Sequence, residues 1–119
     1  MNLTFEQLRD ISLNRCEDSF HLIQSWSPTD WGCAMGGECG EALNLIKKLR
    51  RATGPTYAET VDKIQNQTNA ELIAAIGDEI ADMVIYADLL ATRLGLSLGD
   101  CVEKKFNETS DKVGSKYKL

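Results

Sequence analysis

The sequence predicts an all-α protein, a four-helix bundle of 119 residues. Apolar residues recur at helical spacing along most of the chain, and no stretch alternates for long in the manner of a strand. Capping patterns open successive segments, and Gly95 and Gly114 close two of them. The connections between most segments are short, as they are in a bundle.

The elements follow in order. Thr4 is placed to cap a first helix, in which Phe5, Leu8, Ile11 and Leu22 recur on one side. This helix is expected to end near Gln24. "SWSPTDW" is a strong start signal. Ser27 fits the N-cap, Pro28 the first helical position, and Asp30 the third, where a carboxylate reaches back to the cap. A second helix is expected from there to about Ala52, with "TGP" at 53–55 as the stop. The stretch 56–69 is polar and weakly patterned, a short surface helix or a mobile loop. Asn69 is then expected to cap a third helix, "AELIAAIGDEIADMVIYADLLATRL", which Gly95 stops. Ser97 and Asp100 form a capping pattern for a fourth, which runs through "CVEKKFNETSDKV" to Gly114. A basic tail, "SKYKL", follows.

Bulk composition limits the function classes. The length suits one domain, 1–119, and 43% apolar residues support a core. Eighteen acids against thirteen bases give a net charge of −5, which argues against a nucleic-acid partner. A small phosphorylated ligand remains compatible, because a bound metal inverts the local field. Cys16, Cys33, Cys39 and Cys101 form no C-x-x-C pair, and His21 is the single histidine, so a zinc site is not expected. The start "MNLTFEQLRD" is amphipathic and charged rather than signal-like, which points to reduced thiols in a cytoplasmic protein. No apolar run is long enough to cross a bilayer, so no membrane partner is expected.

Two acidic pairs stand out. "GGECGEALNLIKKLRR" carries Glu38 and Glu41, and "GDEIADMV" carries Glu79 and Asp82. On a wheel of about 100° per residue, Glu38 and Glu41 share an arc with Trp31, Ala34, Leu45 and Leu49. Glu79 and Asp82 share one with Ala75, Met83, Tyr86 and Leu90. Both pairs therefore point inward or to the edge of the interior, where charged residues are normally avoided. Gathered carboxylates repel, and either protonation or a divalent cation relieves them. Spacing of i and i+3 lets two carboxylates of one helix converge. An all-oxygen ligand set favours Mg²⁺, with Mn²⁺ as the alternative. A di-iron site would need Glu-x-x-His on two helices, and His21 is far from either pair. Gly36, Gly37 and Gly40 each cost helix stability, about 1 kcal/mol. Their missing side chains would let another helix or a ligand come close. E-x-x-E alone is common on solvated helix faces; two such pairs on the apolar faces of consecutive helices are not.

"GECGEALNLIKKL" followed by "IGDEIADMVIYADLLA" resembles the MazG-like, all-α nucleoside triphosphate pyrophosphohydrolases, whose mark is E-x-x-E on one helix and E-x-x-D on the next. "EKKFNETSDKVGSKYKL" is similar to the lysine- and asparagine-bearing last helix of small, phage-type MazG-like proteins. The resemblance covers about residues 30–119, with a longer gap between the acidic motifs than is usual. It implies that Glu38, Glu41, Glu79 and Asp82 hold Mg²⁺, which binds a (deoxy)nucleoside triphosphate. Water then attacks the α-phosphorus, giving a nucleoside monophosphate and pyrophosphate. One glutamate of the first pair, Glu41 by preference over Glu38, would be the base. Lys104, Lys105, Asn107 and Lys112 recur at spacings that let some share a face. Similar positions contact phosphates in the family, which selects Lys105 and Asn107, with Lys112 and Lys48 as further candidates. Tyr86, one turn after Asp82, is either a sugar-pocket residue or core, and Trp31 either stacks on a base or is core. The family also implies a homodimer or homotetramer. Two other readings stand beside this one: a non-catalytic helical module that binds nucleotides, and a phosphoribosyl-ATP pyrophosphohydrolase.

Overall fold

The structure is a computed structural model and describes residues 1–53 and 67–119. The expectation for 56–66 lies outside those residues. Among the described residues there are four α-helices and no strand. They are α1 (Phe5–Ser19), α2 (Pro28–Thr53), α3 (Gln67–Arg93) and α4 (Leu98–Val113), with a 3₁₀ turn at Ile23–Ser25. By internal contacts the chain divides into two compact units, 1–31 with 87–119 and 32–86.

The caps form where the sequence places them. At α1 the Gln7 amide donates to Thr4 Oγ1 at 3.1 Å, and the Thr4 amide donates to Gln7 Oε1 at 2.9 Å. Both members of this reciprocal pair satisfy orphan donors of the first turn. At α2 the Ser27 amide donates to Asp30 Oδ2 at 2.9 Å, and the Asp30 amide donates to Ser27 Oγ at 3.2 Å. These donors hold the Asp30 carboxyl below its ordinary value, the backbone N–H of Ser27 first and its hydroxyl second. Ser97 caps α4 by accepting from the Asp100 amide at 3.3 Å. Gly95 and Gly114 both take positive φ, 74° and 71°, as stop residues in the left-handed region must.

Three expectations are corrected. Helix α1 stops at Ser19, five residues before Gln24, because Phe20 leaves helical geometry and the Phe20 and His21 amides both close on the Cys16 carbonyl. The Glu17 carboxylate then accepts from the Ile23 amide at 2.9 Å and starts the 3₁₀ turn. The buried residues of α1 are Ser12 and Cys16, while Phe5, Ile11 and Leu22 are exposed. Asn69 does not cap α3: the helix begins two residues earlier, and Asn69 is buried inside its first turn.

The unit of 1–31 and 87–119 is centred on Cys16, Ile23, Trp31, Leu89 and Ala91. Trp31 donates from Nε1 to the Ile23 carbonyl at 3.2 Å. Its ring lies 4.6 Å from Trp26 and 5.3 Å from His21, centroid to centroid. Arg93 Nε donates to the Trp26 carbonyl at 2.8 Å and ties the end of α3 to this aromatic group. Gly99 lets the start of α4 lie against α1: a Cβ there would meet Phe5 Cβ at 3.0 Å. In the unit of 32–86, Ala42 of α2 and Ile76 of α3 are the buried apolar residues among those described. No described helix is long and apolar enough to cross a membrane.

Candidate metal centre

The 32–86 unit carries the acidic residues. Glu38 and Glu41 sit one turn apart on α2, and Glu79 lies on α3. One carboxylate oxygen from each lies within 4.8 Å of the others. Among the described residues these three are the one such group of potential ligands. Glu38 and Glu79 are half-buried and Glu41 is exposed, so the group sits at the edge of the interior. The sequence pattern therefore brings three of its four acids together. Asp82 is exposed and does not join them. It is one methylene shorter than Glu79, and Glu38 and Glu41, at the same spacing, have the extra reach.

The electrostatics follow from the crowding. The Glu79 carboxyl is pushed up to about 7, first by hydrogen bonding with the Glu38 carboxyl, then by partial burial, then by Glu41. Two carboxylates that share a site cannot both keep full charge cheaply, so one holds a proton. In its ionised form Glu79 has no donor to meet: its Oε2 is inaccessible to solvent and without a hydrogen-bond partner. An oxygen in that state, close to two more carboxylates, suits a hard cation that replaces the proton. The donor set is all oxygen, which fits Mg²⁺ or Mn²⁺ and not a thiolate metal. A Cβ placed at Gly36, Gly37 or Gly40 would meet nothing within 4 Å. No described helix presses on these glycines, contrary to one of the two expectations for them, and they leave an open strip beside Glu38 and Glu41.

The other candidate residues are distributed as follows. Tyr86 is half-buried on α3 and Lys48 is exposed on α2. Trp31 is only 2% exposed. Of its two readings, the structure supports the core residue: the ring is enclosed by Trp26, His21 and the Ile23 backbone, and a base cannot stack on it without opening that cluster. On α4, Lys105 and Lys112 are exposed, and Lys105 lines an apolar groove with Val102, Phe106 and Val113. Lys104 is paired with Glu108. Asn107 is half-buried and engaged by the tail: it accepts from the Leu119 amide at 2.9 Å and donates to the Leu119 carbonyl at 3.3 Å. All four cysteines are free thiols. Cys16 is buried, donates to the His21 carbonyl at 3.3 Å, and has its thiol pushed up by desolvation.

Asp88 reads as a surface or supporting group, yet it is 1% exposed. Its Oδ2 has no partner, and burial pushes its carboxyl up, with Arg9 opposing and Asp10 reinforcing the shift. The available signal was its place in the apolar run "IYADLLA". No family model, curated protein or solved structure matches this chain.

Proposed function

We propose that the protein hydrolyses (deoxy)nucleoside triphosphates to nucleoside monophosphate and pyrophosphate, with Mg²⁺ as its cofactor. The observation that carries the reading is the meeting of Glu38, Glu41 and Glu79 oxygens within 4.8 Å around a Glu79 oxygen that has no partner. The motif order supports it: E-x-x-E on α2 and E-x-x-D on α3 resemble the MazG-like enzymes, whose bundle is oligomeric. We extend that architecture to this chain as a homodimer or homotetramer of four-helix bundles.

Glu38, Glu41 and Glu79 would hold the cation, and Asp82, which the resemblance adds to the set, would act through water rather than on the ion. When bound, the ion would offset the charge of the phosphates and acidify water. Glu41, the exposed member, would take a proton from a water that attacks the α-phosphorus. The bond between the α-phosphorus and the bridging oxygen to the β-phosphorus breaks, and pyrophosphate leaves. Lys48 is proposed as a phosphate contact and Tyr86 as a wall of the sugar pocket; for Lys105, Asn107 and Lys112 the resemblance is the sole support. Because Trp31 is enclosed, its proposed role is to brace the aromatic group of Trp26 and His21.

The test is a panel of dNTPs with and without Mg²⁺, read by pyrophosphate release. Mg²⁺-dependent release that is lost in Glu38→Ala and Glu79→Ala is expected. Release that survives either substitution contradicts the metal assignment. Nucleotide binding without release identifies a non-catalytic binding module instead.

A further inference from the structure

A cavity of about 230 Å³ opens where the start of α1, the later part of α3 and the start of α4 meet. Its residues all belong to the unit of 1–31 and 87–119, and none belongs to the acidic group of Glu38, Glu41 and Glu79. Glu6 and Arg9 come from α1, Asp88 from α3 and Asp100 from α4. Phe5 and Leu98 supply the apolar part of the wall.

Asp88 is the member that calls for an occupant. It is 1% exposed, and its Oδ2 has no hydrogen-bond partner. A buried carboxylate oxygen without a donor is costly, so whatever brings an N–H to it gains that cost back. Arg9 is exposed and does not donate to this oxygen.

Charge decides the class of ligand. The charged groups around Asp88 are Glu6, Arg9 and Asp10 of α1 and Asp100 of α4. Acids outnumber the base, so an anion is disfavoured. The first turn of α4 would attract one, but the Asp100 carboxylate already sits at that end of the helix dipole. A metal is disfavoured too, because Glu6, Asp88 and Asp100 do not converge as a ligand set. An organic ammonium ion needs only one well-placed acceptor for its N–H and an apolar wall for its stem. The cavity lies below the ~300 Å³ at which pockets for drug-sized molecules begin, so the stem must be short.

We propose that this cavity binds a small organic ammonium ion, whose N–H donates to Asp88 Oδ2 and whose hydrocarbon stem lies against Phe5 and Leu98. Burial pushes the Asp88 carboxyl up. Where that carboxyl holds a proton, the ammonium ion must displace it, and binding then releases the proton to solvent.

The test uses the full chain with n-butylammonium as the probe, at constant ionic strength. Tetramethylammonium is the control, since it has the same charge and no N–H. By NMR, n-butylammonium should shift the Asp88 side-chain carboxyl carbon and bring its methylenes into contact with the Phe5 ring. Tetramethylammonium should bind about 10- to 100-fold more weakly, the range that a hydrogen bond to a charged group spans. Asp88→Asn should weaken n-butylammonium over the same range. It should also abolish the proton release, read by calorimetry in buffers of different ionisation enthalpy. Arg9→Gln, measured where Asp88 is ionised, should tighten n-butylammonium about two- to fivefold, because a like charge is removed. An anion-binding cavity would respond in the opposite direction. Equal affinity for the two cations overturns the site, as does an Asp88 carbon that n-butylammonium does not move. So does weaker binding in Arg9→Gln. These three readouts do not require Asp88→Asn to fold.

Discussion

Glu79 and Asp88 are nine residues apart on α3, and both carboxyls are pushed up, for different reasons. Glu79 belongs to the 32–86 unit and is raised chiefly by the Glu38 carboxyl beside it. Asp88 belongs to the other unit and is raised chiefly by loss of water, with Arg9 pulling the other way. A crowded carboxyl is relieved by any cation that reaches the crowd. A desolvated one is relieved by a proton or a hydrogen-bond donor, and a hydrated divalent ion gains little there. A perturbed acid is thus a stronger candidate ligand where other carboxylates crowd it than where burial is the chief cause.

Substitution separates the two positions. The largest effect is expected at the crowd: Glu38→Ala or Glu79→Ala should weaken Mg²⁺ binding about a hundredfold or more, since even residues that merely orient metal ligands cost about 10- to 100-fold. Calorimetric Mg²⁺ titration measures it. Asp88→Asn should leave Mg²⁺ affinity unchanged, and an equal loss there would erase the distinction.

Acidity separates them next. A raised carboxyl in the folded state contributes stability that is complete below the unfolded value and lost as pH rises through the folded one. For Glu79 that window runs from 4.5 to about 7. Metal-free protein should therefore lose stability across it, and saturating Mg²⁺ should restore the loss at its upper end. Asp88 should add a loss that begins above 3.8 and that Mg²⁺ does not restore. Asp88→Asn should flatten that part alone. Denaturant unfolding at fixed pH, with and without Mg²⁺, distinguishes the two slopes. Identical responses of both to Mg²⁺ would contradict the division by cause.

The smallest effect is a control outside both regions. Ser27→Ala removes the N-cap of α2 and should lower unfolding free energy by about 1 kcal/mol, measured by the same denaturant curves. Mg²⁺ affinity should remain at the wild-type value, because the cap lies more than two turns before Glu38.

Much of this contrast is legible in the sequence, and the illegible part has a common cause. Caps are local chemistry: Thr4 with Gln7 and Ser27 with Asp30 act within three residues, so their pattern identifies them. The acidic pairs are legible because the helical period carries Glu38, Glu41 and Glu79 to the edge of an apolar arc. Asp82 shows the limit of that rule, since arc membership sets direction and not reach. Ile11 shows it again: its periodic place suggests burial, whereas Ser12 and Cys16 are the buried residues of α1. The bonds between Leu119 and Asn107 depend on which distant groups meet, and no spacing encodes that. The early end of α1 is local but carries no stop signal in the sequence: Phe20 leaves helical geometry and its amide closes on the Cys16 carbonyl.

The most direct measurement is the pH titration of the Glu79 side-chain carboxyl by carbon NMR, in the full chain, with and without Mg²⁺. Without the ion its midpoint should lie at about 7, and in Glu38→Gln it should fall toward the ordinary carboxylate range. With saturating Mg²⁺ the wild-type carboxyl should remain ionised well below 7, because the cation takes the place of the proton. An ordinary midpoint that Mg²⁺ does not move would contradict the claim that Glu38, Glu41 and Glu79 form one cation-holding group.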